Sequence, residues 1–285
     1  MKLLTINTHS LQEENYAQKL DQFVESVLKE RPDLIAMQEV NQTCDAELAD
    51  PELLTGQYPI PGCMSVRADN HAAQVARRLR KAGVACYWAW VPIKRGYDKY
   101  DEGVAVLSLG RKIACVDKFP VSRVNDYFNW RTRAVLGVQL EGLDDWFYTV
   151  HMGWWDDAED GFFDQWKKLS CCIASKVICG RVWLMGDFNA PDQIANESYA
   201  KVEASGWIDT YRAAHIRDQG ITVPGIIDGW REKLKAADPK GMRLDYVWCS
   251  HPCEILSSRV MFSGEREPVI SDHFGVLIET KEETT

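Results

Sequence analysis

Four short apolar runs in this chain each stop on a polar residue suited to acid–base or ligand chemistry. Leu3-Leu4-Thr5-Ile6 ends at Asn7, and Leu34-Ile35-Ala36-Met37-Gln38 ends at Glu39. Phe147-Tyr148-Thr149-Val150 ends at His151. Val182-Trp183-Leu184-Met185-Gly186 ends at Asp187, with Asn189 close behind. Runs this short and apolar read as strands. In open α/β sheets, ligands sit beyond the carboxyl ends of the strands. These endings would gather Asn, Glu, His, Asp and Asn around one cleft. A single polar strand end is ordinary turn chemistry. The set carries the argument, joined by Asp245 in Arg243-Leu244-Asp245-Tyr246-Val247 and by Asp272-His273.

Between the runs the periodicity changes. Tyr16, Leu20, Phe23, Val24, Val27 and Leu28 fall on one helix face, which Pro32 stops. This strand–helix–strand opening predicts a parallel pair. Residues 45–66 hold Pro51, Pro59 and Pro61 and read as an irregular loop. Asp69 or Asn70 can cap a helix to Lys81. Strands are expected at 84–90, 104–109, 112–116, 133–140 and 146–150. Helices are expected at 162–178, 196–204 and 229–236, and closing strands at 244–249, 255–262 and 274–278. Hairpins in the middle with strand–helix–strand units at both ends give mixed sheets with covering helices, an α/β layered sandwich and not a doubly wound nucleotide fold. No linker splits the chain, so residues 1–280 are read as one domain and 281–285 as a frayed tail.

A chain of 285 residues, 46% apolar, buries roughly three quarters of its unfolded surface. Lys and Arg number 33 against 42 Asp and Glu, a net charge of −9. That balance argues against nucleic acid and anionic membranes as partners, since gripping a polyanion needs a basic excess. No apolar run approaches the length of about 18 residues that a membrane span needs. Met1-Lys2 leads into a strand with no apolar leader, and the nine Cys are odd in number. The expected location is the cytoplasm, with the thiols reduced. No Gly-x-x-x-x-Gly-Lys loop or Gly-x-Ser-x-Gly elbow occurs. His9, His71 and His215 read as surface or packed residues.

Asn7, Gln38-Glu39, Gly186-Asp187-Phe188-Asn189, Leu244-Asp245-Tyr246 and Ser271-Asp272-His273 together resemble, in order, the signature blocks of the endonuclease/exonuclease/phosphatase superfamily. The resemblance spans nearly the whole chain. It implies four layers, two mixed β-sheets packed face to face with flanking helices, together with a divalent cation and phosphoester hydrolysis. Residues 96–103, His151-Met152-Gly153-Trp154-Trp155 and Ile227-Asp228-Gly229-Trp230 are most similar to a bacterial branch that contains maltose 6'-phosphate phosphatases.

The resemblance assigns roles residue by residue. Glu39, Asn7 and Asp272 are the implied metal set. Oxygen-only ligands select Mg²⁺ or Mn²⁺ over zinc. Asp187 would deprotonate the attacking water, and Asn189 would fix it. His273 would contact phosphoryl oxygens with Asp245 on its other ring nitrogen. His151 would be a second phosphate contact, and Glu102 the acidic partner of such a histidine.

For the substrate, the 11 Trp residues outnumber Tyr at 10 and Phe at 9. Trp130, Trp154, Trp155 and Trp230 fall in loops, where an indole face can stack on a sugar ring. Asp156 and Asp157 would suit hydroxyl groups, and Lys94, Arg95 and Arg131 a phosphate. The preferred reading is a phosphomonoesterase acting on a small-molecule sugar phosphate such as maltose 6'-phosphate. A Mg²⁺-dependent nuclease of abasic-site or exonuclease type is the alternative. A sphingomyelinase or a non-catalytic binding module on the same scaffold fits less well.

Overall fold

The computed structural model describes residues 1–154, 157–194, 197–225 and 241–281. Among these, the strands in chain order are β1 (Lys2–Asn7), β2 (Leu34–Thr43), β3 (Cys86–Gly96), β4 (Tyr100–Leu109), β5 (Ile113–Pro120), β6 (Ala134–Leu140), β7 (Trp146–His151), β8 (Val182–Asp187), β9 (Ile208–Asp209), β10 (Ile216–Arg217), β11 (Asp245–Cys249), β12 (Ile255–Met261) and β13 (Gly275–Thr280). The helices are α1 (Tyr16–Glu30), α2 (His71–Lys81), α3 (Phe162–Cys179), α4 (Ser198–Ala204) and α5 (Thr210–Ala213).

One sheet runs β10-β12-β13-β1-β2-β4-β3 and the other β5-β6-β7-β8-β11-β9. Both are mixed. β1 pairs β2 in parallel around α1, and β7 pairs β8 in parallel around α3. Three apolar interfaces stack the layers. Leu20, Phe23, Val24 and Val27 of α1, with Val75, Ala76 and Leu79 of α2, pack on Leu4, Ile35 and Met37 of the first sheet. Leu3, Leu34, Ala36 and Val106 meet Val138, Phe147, Trp183 and Met185 between the sheets. Phe162, Trp166, Leu169 and Ile173 of α3 cover Tyr148, Val182 and Leu184 on the far side. This is the four-layer sandwich expected from the sequence.

Several boundaries differ. β2 does not stop at Glu39 but runs to Thr43, because a bulge between Met37 and Val40 absorbs the polar pair. β3 and β4 lengthen to meet in a long hairpin, since their polar ends still pair across the register. α4 begins at Ser198, and the expected helix at 229–236 lies outside the described residues. No helix among the described residues is long and apolar enough to cross a membrane.

Register aligns the chemistry. His151 on β7 stands opposite Asp187 on β8, and Asp187 opposite Asp245 on β11. Asn7 stands beside Gln38 in the other sheet. The sheets are tied at this edge by polar contacts, with Gln38 Nε2 donating to Thr149 Oγ1 at 2.8 Å and Thr149 Oγ1 to the Met37 carbonyl at 3.2 Å. Gly186 makes the approach possible. Its φ is +147°, and a Cβ there would lie 2.0 Å from the Val150 carbonyl oxygen and 2.9 Å from Gln38 Nε2. Gly186→Ala should therefore cost about 2 kcal/mol or more, read as a lowered urea midpoint. Its turnover should fall further than its stability, because Asp187 follows directly. A variant with wild-type midpoint would show that Gly186 is not held this close to Val150 and Gln38.

Candidate active site

The bulge in β2 puts Glu39 in left-handed backbone, with φ at 49°. Such a conformation is rare for a residue with a Cβ and persists only where its surroundings hold it. Here Thr8 Oγ1 donates to the Gln38 carbonyl at 2.8 Å, and Ser10 Oγ to the Glu39 carbonyl at 2.7 Å. The carboxylate turns into a pocket of about 260 Å³ that also takes His9, Lys94, Glu102, Trp130, Arg133, His151, Trp154, Asp187, Asn189, Asp272 and His273. Nine of these were sequence expectations; His9 and Arg133 were not.

Asp187 is buried at the centre. Asn7 Nδ2 donates to Asp187 Oδ2 at 3.2 Å and to Glu39 Oε1 at 3.0 Å, so one amide spaces the two carboxylates. Asn7 Oδ1 accepts the His9 N–H at 3.2 Å. In this arrangement the Asn7 amide ties Glu39 to Asp187. The Asn189 N–H donates to Asp187 Oδ1 at 2.8 Å, and Asn189 Nδ2 to the Met152 carbonyl at 3.0 Å. Burial pushes the Asp187 carboxyl up to about 7; His273 pulls it back, while Asp245 and Glu39 add to the rise.

His273 shares its Nδ1 with Asp245 Oδ2 at 2.9 Å, and its Nε2 faces Asp187 Oδ2 at 3.8 Å. Burial opposes its charge, but Asp245 and Asp187 override that and hold it well above the usual histidine range. His151 behaves oppositely. Burial, with Arg133, Lys94 and His273 adding, drives it well below that range, so it is neutral. Its Nε2 stands 3.7 Å from Asp187 Oδ2. One charged and one neutral imidazole thus flank a single buried carboxylate.

Two groups of side chains bring ligand atoms within 4.8 Å of one another, His9–Glu13–Asp272 and Asp187–Asp245–His273, and are candidate Asp/His clusters for a divalent ion. Glu39 stands beside both. Burial pushes its carboxyl up, and Glu102 and Asp272 push it further. Carboxylates crowded in this way call for a cation, so the donor set fits a hard divalent ion.

Other expectations need correction. Glu102 does not partner a histidine. It faces Lys94 across the β3–β4 register and pairs with Lys94 Nζ at 3.1 Å. Arg131 does not reach the pocket. Its guanidinium stacks on Trp130 at 4.4 Å and pairs with Asp157 at 2.8 Å, which also engages Asp157 instead of leaving it for hydroxyl groups. Arg133, immediately before β6, lines the pocket in place of Arg131. Arg95 and Lys94 do line the pocket. Trp130 and Trp154 form a ring pair at its mouth, centroids 5.3 Å apart. Trp155, Asp156 and Trp230 lie outside the described residues. His9, read as surface or packed, sits in the pocket with Nδ1 2.7 Å from Glu13 Oε1. Its place just after the β1 ending was the available signal.

The endonuclease/exonuclease/phosphatase family model matches residues 4–273. The chain belongs to that family. An endonuclease/exonuclease/phosphatase family protein from Leptotrichia buccalis superposes with a TM-score of 0.83 at 29% identity, covering 99% of this chain and 100% of the other. A mannosyl-6-phosphatase from Bacteroides thetaiotaomicron matches at 0.64 and 14% identity, over 99% and 100%. A 3' phosphatase from Neisseria, solved bound to a product DNA hairpin, matches at 0.61 and 19% identity, over 99% and 100%. No protein with a curated description matches the chain.

These similarities overturn the argument from net charge against a nucleic-acid partner. The physical reason is local. A charge of −9 spread over the surface does not set the field at the pocket, where Lys94, Arg95 and Arg133 gather. Two measurements test the site. Asp187→Asn should lose about two to four orders of magnitude in turnover. The wild-type rate should rise with pH through a group at or below about 7, since deprotonation of Asp187 creates the base and a bound cation lowers its pKa. A variant that keeps both rate and pH profile would remove Asp187 from the reaction. Glu39→Gln should weaken calorimetric Mg²⁺ binding markedly, and unchanged affinity would take Glu39 out of the metal site.

Proposed function

We propose that this family member is a divalent-metal-dependent phosphomonoester hydrolase that works by direct in-line attack of water. The observation that carries the reading is the buried Asp187, held between charged His273 and neutral His151 with Asn189 alongside. Asp187 accepts the proton of the attacking water, and Asn189 fixes that water beside phosphorus. His273, oriented by Asp245, donates to a phosphoryl oxygen and favours the charge that builds there, and His151 donates to a second. Glu39 and Asp272 would hold Mg²⁺ or Mn²⁺, with Asn7 spacing Glu39 from Asp187. When bound, that ion supplies polarisation of the phosphoryl group and neutralisation of its charge.

Two leaving groups compete. A nucleic-acid strand end has the firmer support: the Neisseria 3' phosphatase was solved on a DNA hairpin, and the Trp130–Trp154 pair at the mouth can stack a base. A sugar phosphate, such as maltose 6'-phosphate, is supported by the same rings and by the mannosyl-6-phosphatase. The deciding experiment offers the protein, with Mg²⁺, a 3'-phosphorylated oligonucleotide, abasic and plasmid DNA, maltose 6'-phosphate and mannose 6-phosphate. Release of inorganic phosphate is expected, fastest from the oligonucleotide. Turnover of the sugar phosphates alone would favour the second leaving group. Strand cleavage without phosphate release would replace the monoesterase by a nuclease.

A further inference from the structure

Two buried cations converge on one carbonyl at the back of the pocket. Arg133 immediately precedes β6 and is 5% exposed. Its Nη1 donates to the Trp130 carbonyl at 2.7 Å and to the Thr132 carbonyl at 3.1 Å. Lys94 Nζ donates to the same Trp130 carbonyl at 3.2 Å. Glu102 pairs with Lys94, and Arg133 has no carboxylate of its own in a direct ion pair among the described residues, feeling Glu102 and Glu39 only at longer range. Arg133 Nε has no hydrogen-bond partner among the described residues. An unsatisfied N–H on a buried guanidinium is costly, and Arg133 is one of the residues that line the pocket. Both cations act on the reaction centre: they help to keep His151 neutral, and Arg133 feels the charges of Glu39 and Asp187.

A phosphomonoester above its second pKa, about 6, carries two negative charges and three non-bridging oxygens. A phosphodiester carries one charge, and an ester substituent stands where the third free oxygen would be. We propose that Arg133, together with Lys94, clamps the third non-bridging oxygen of a phosphomonoester dianion and makes this pocket select monoesters over diesters. The inference rests on the monoesterase reading and deepens it. The planar guanidinium suits an oxyanion edge. An alkylated oxygen would leave the buried Arg133 N–H unpaired, which is how a polar site rejects a near-isostere.

The test uses Arg133→Gln and Lys94→Met in the full chain with Mg²⁺. Calorimetry measures binding of inorganic phosphate at about pH 7.5, where the dianion dominates, against dimethyl phosphate, a monoanion. Kinetics compare p-nitrophenyl phosphate with bis(p-nitrophenyl) phosphate. Each variant should lose roughly tenfold or more in phosphate affinity and in the ratio of monoester to diester kcat/KM. Dimethyl phosphate affinity should change by less than roughly twofold. Equal losses on both esters, or unchanged phosphate affinity, would overturn the clamp. If Arg133→Gln does not fold, Lys94→Met decides by the same readouts. If the wild-type protein turns over only diesters, the monoesterase reading falls, and the phosphate titration still decides whether the dianion is gripped here.

Discussion

Burial of the Asp187 carboxylate is the constraint on which the rest of the site depends. A carboxylate at 2% exposure is costly unless neighbours satisfy it. The chain meets that demand from both sheets. Asn7 reaches it from β1, the Asn189 N–H from the turn after β8, and His273 from the approach to β13. His273 is in turn charged because Asp245, next to Asp187 in register, holds its other nitrogen. Moving any one of these partners changes the protonation of the others. The close sheet contact at Gly186 and Gln38 is therefore part of the chemistry, since it fixes how far Asn7 stands from Asp187.

Much of this was legible in the sequence. Short apolar runs with polar ends marked the core strands, and the helix periods between them marked α1, α2 and α3. The two-sheet arrangement follows from strand pairings distant in sequence, such as β1 with β13, which periodicity does not encode. Asp187, His151 and Asp245 were readable because they sit at strand ends on the same edge. Glu102 was misassigned because its partner, Lys94, depends on a cross-strand register set by the single shift between Pro92 and Lys94 of β3. Arg131 and Arg133 are separated by one residue, and only their tertiary partners, Trp130 and Asp157 for the one and the Trp130 and Thr132 carbonyls for the other, decide which lines the pocket. His9 was missed because its left-handed backbone, φ 47°, bends the chain back towards Asp272.

Net charge proved a poor guide to partners, and the pocket shows why. Its floor combines acids that suit a cation with Lys94 and Arg133, which suit an anion, and the opposed charges cancel in any sum over the chain. A phosphoryl group needs both. Glu39 and Asp272 would hold an ion that neutralises its charge, and Lys94 and Arg133 would add to that. Trp130 connects this floor to the mouth, its carbonyl bridging the cations while its ring pairs with Trp154.

The central claim is that water directed by Asp187 attacks phosphorus directly, with no covalent phosphoenzyme. The stereochemical course of the reaction tests it most directly. Hydrolysis of an isotopically chiral phosphomonoester in labelled water is predicted to give inorganic phosphate of inverted configuration, with solvent oxygen in the phosphate and none in the released alcohol. Retention of configuration would demonstrate two successive displacements and contradict the account.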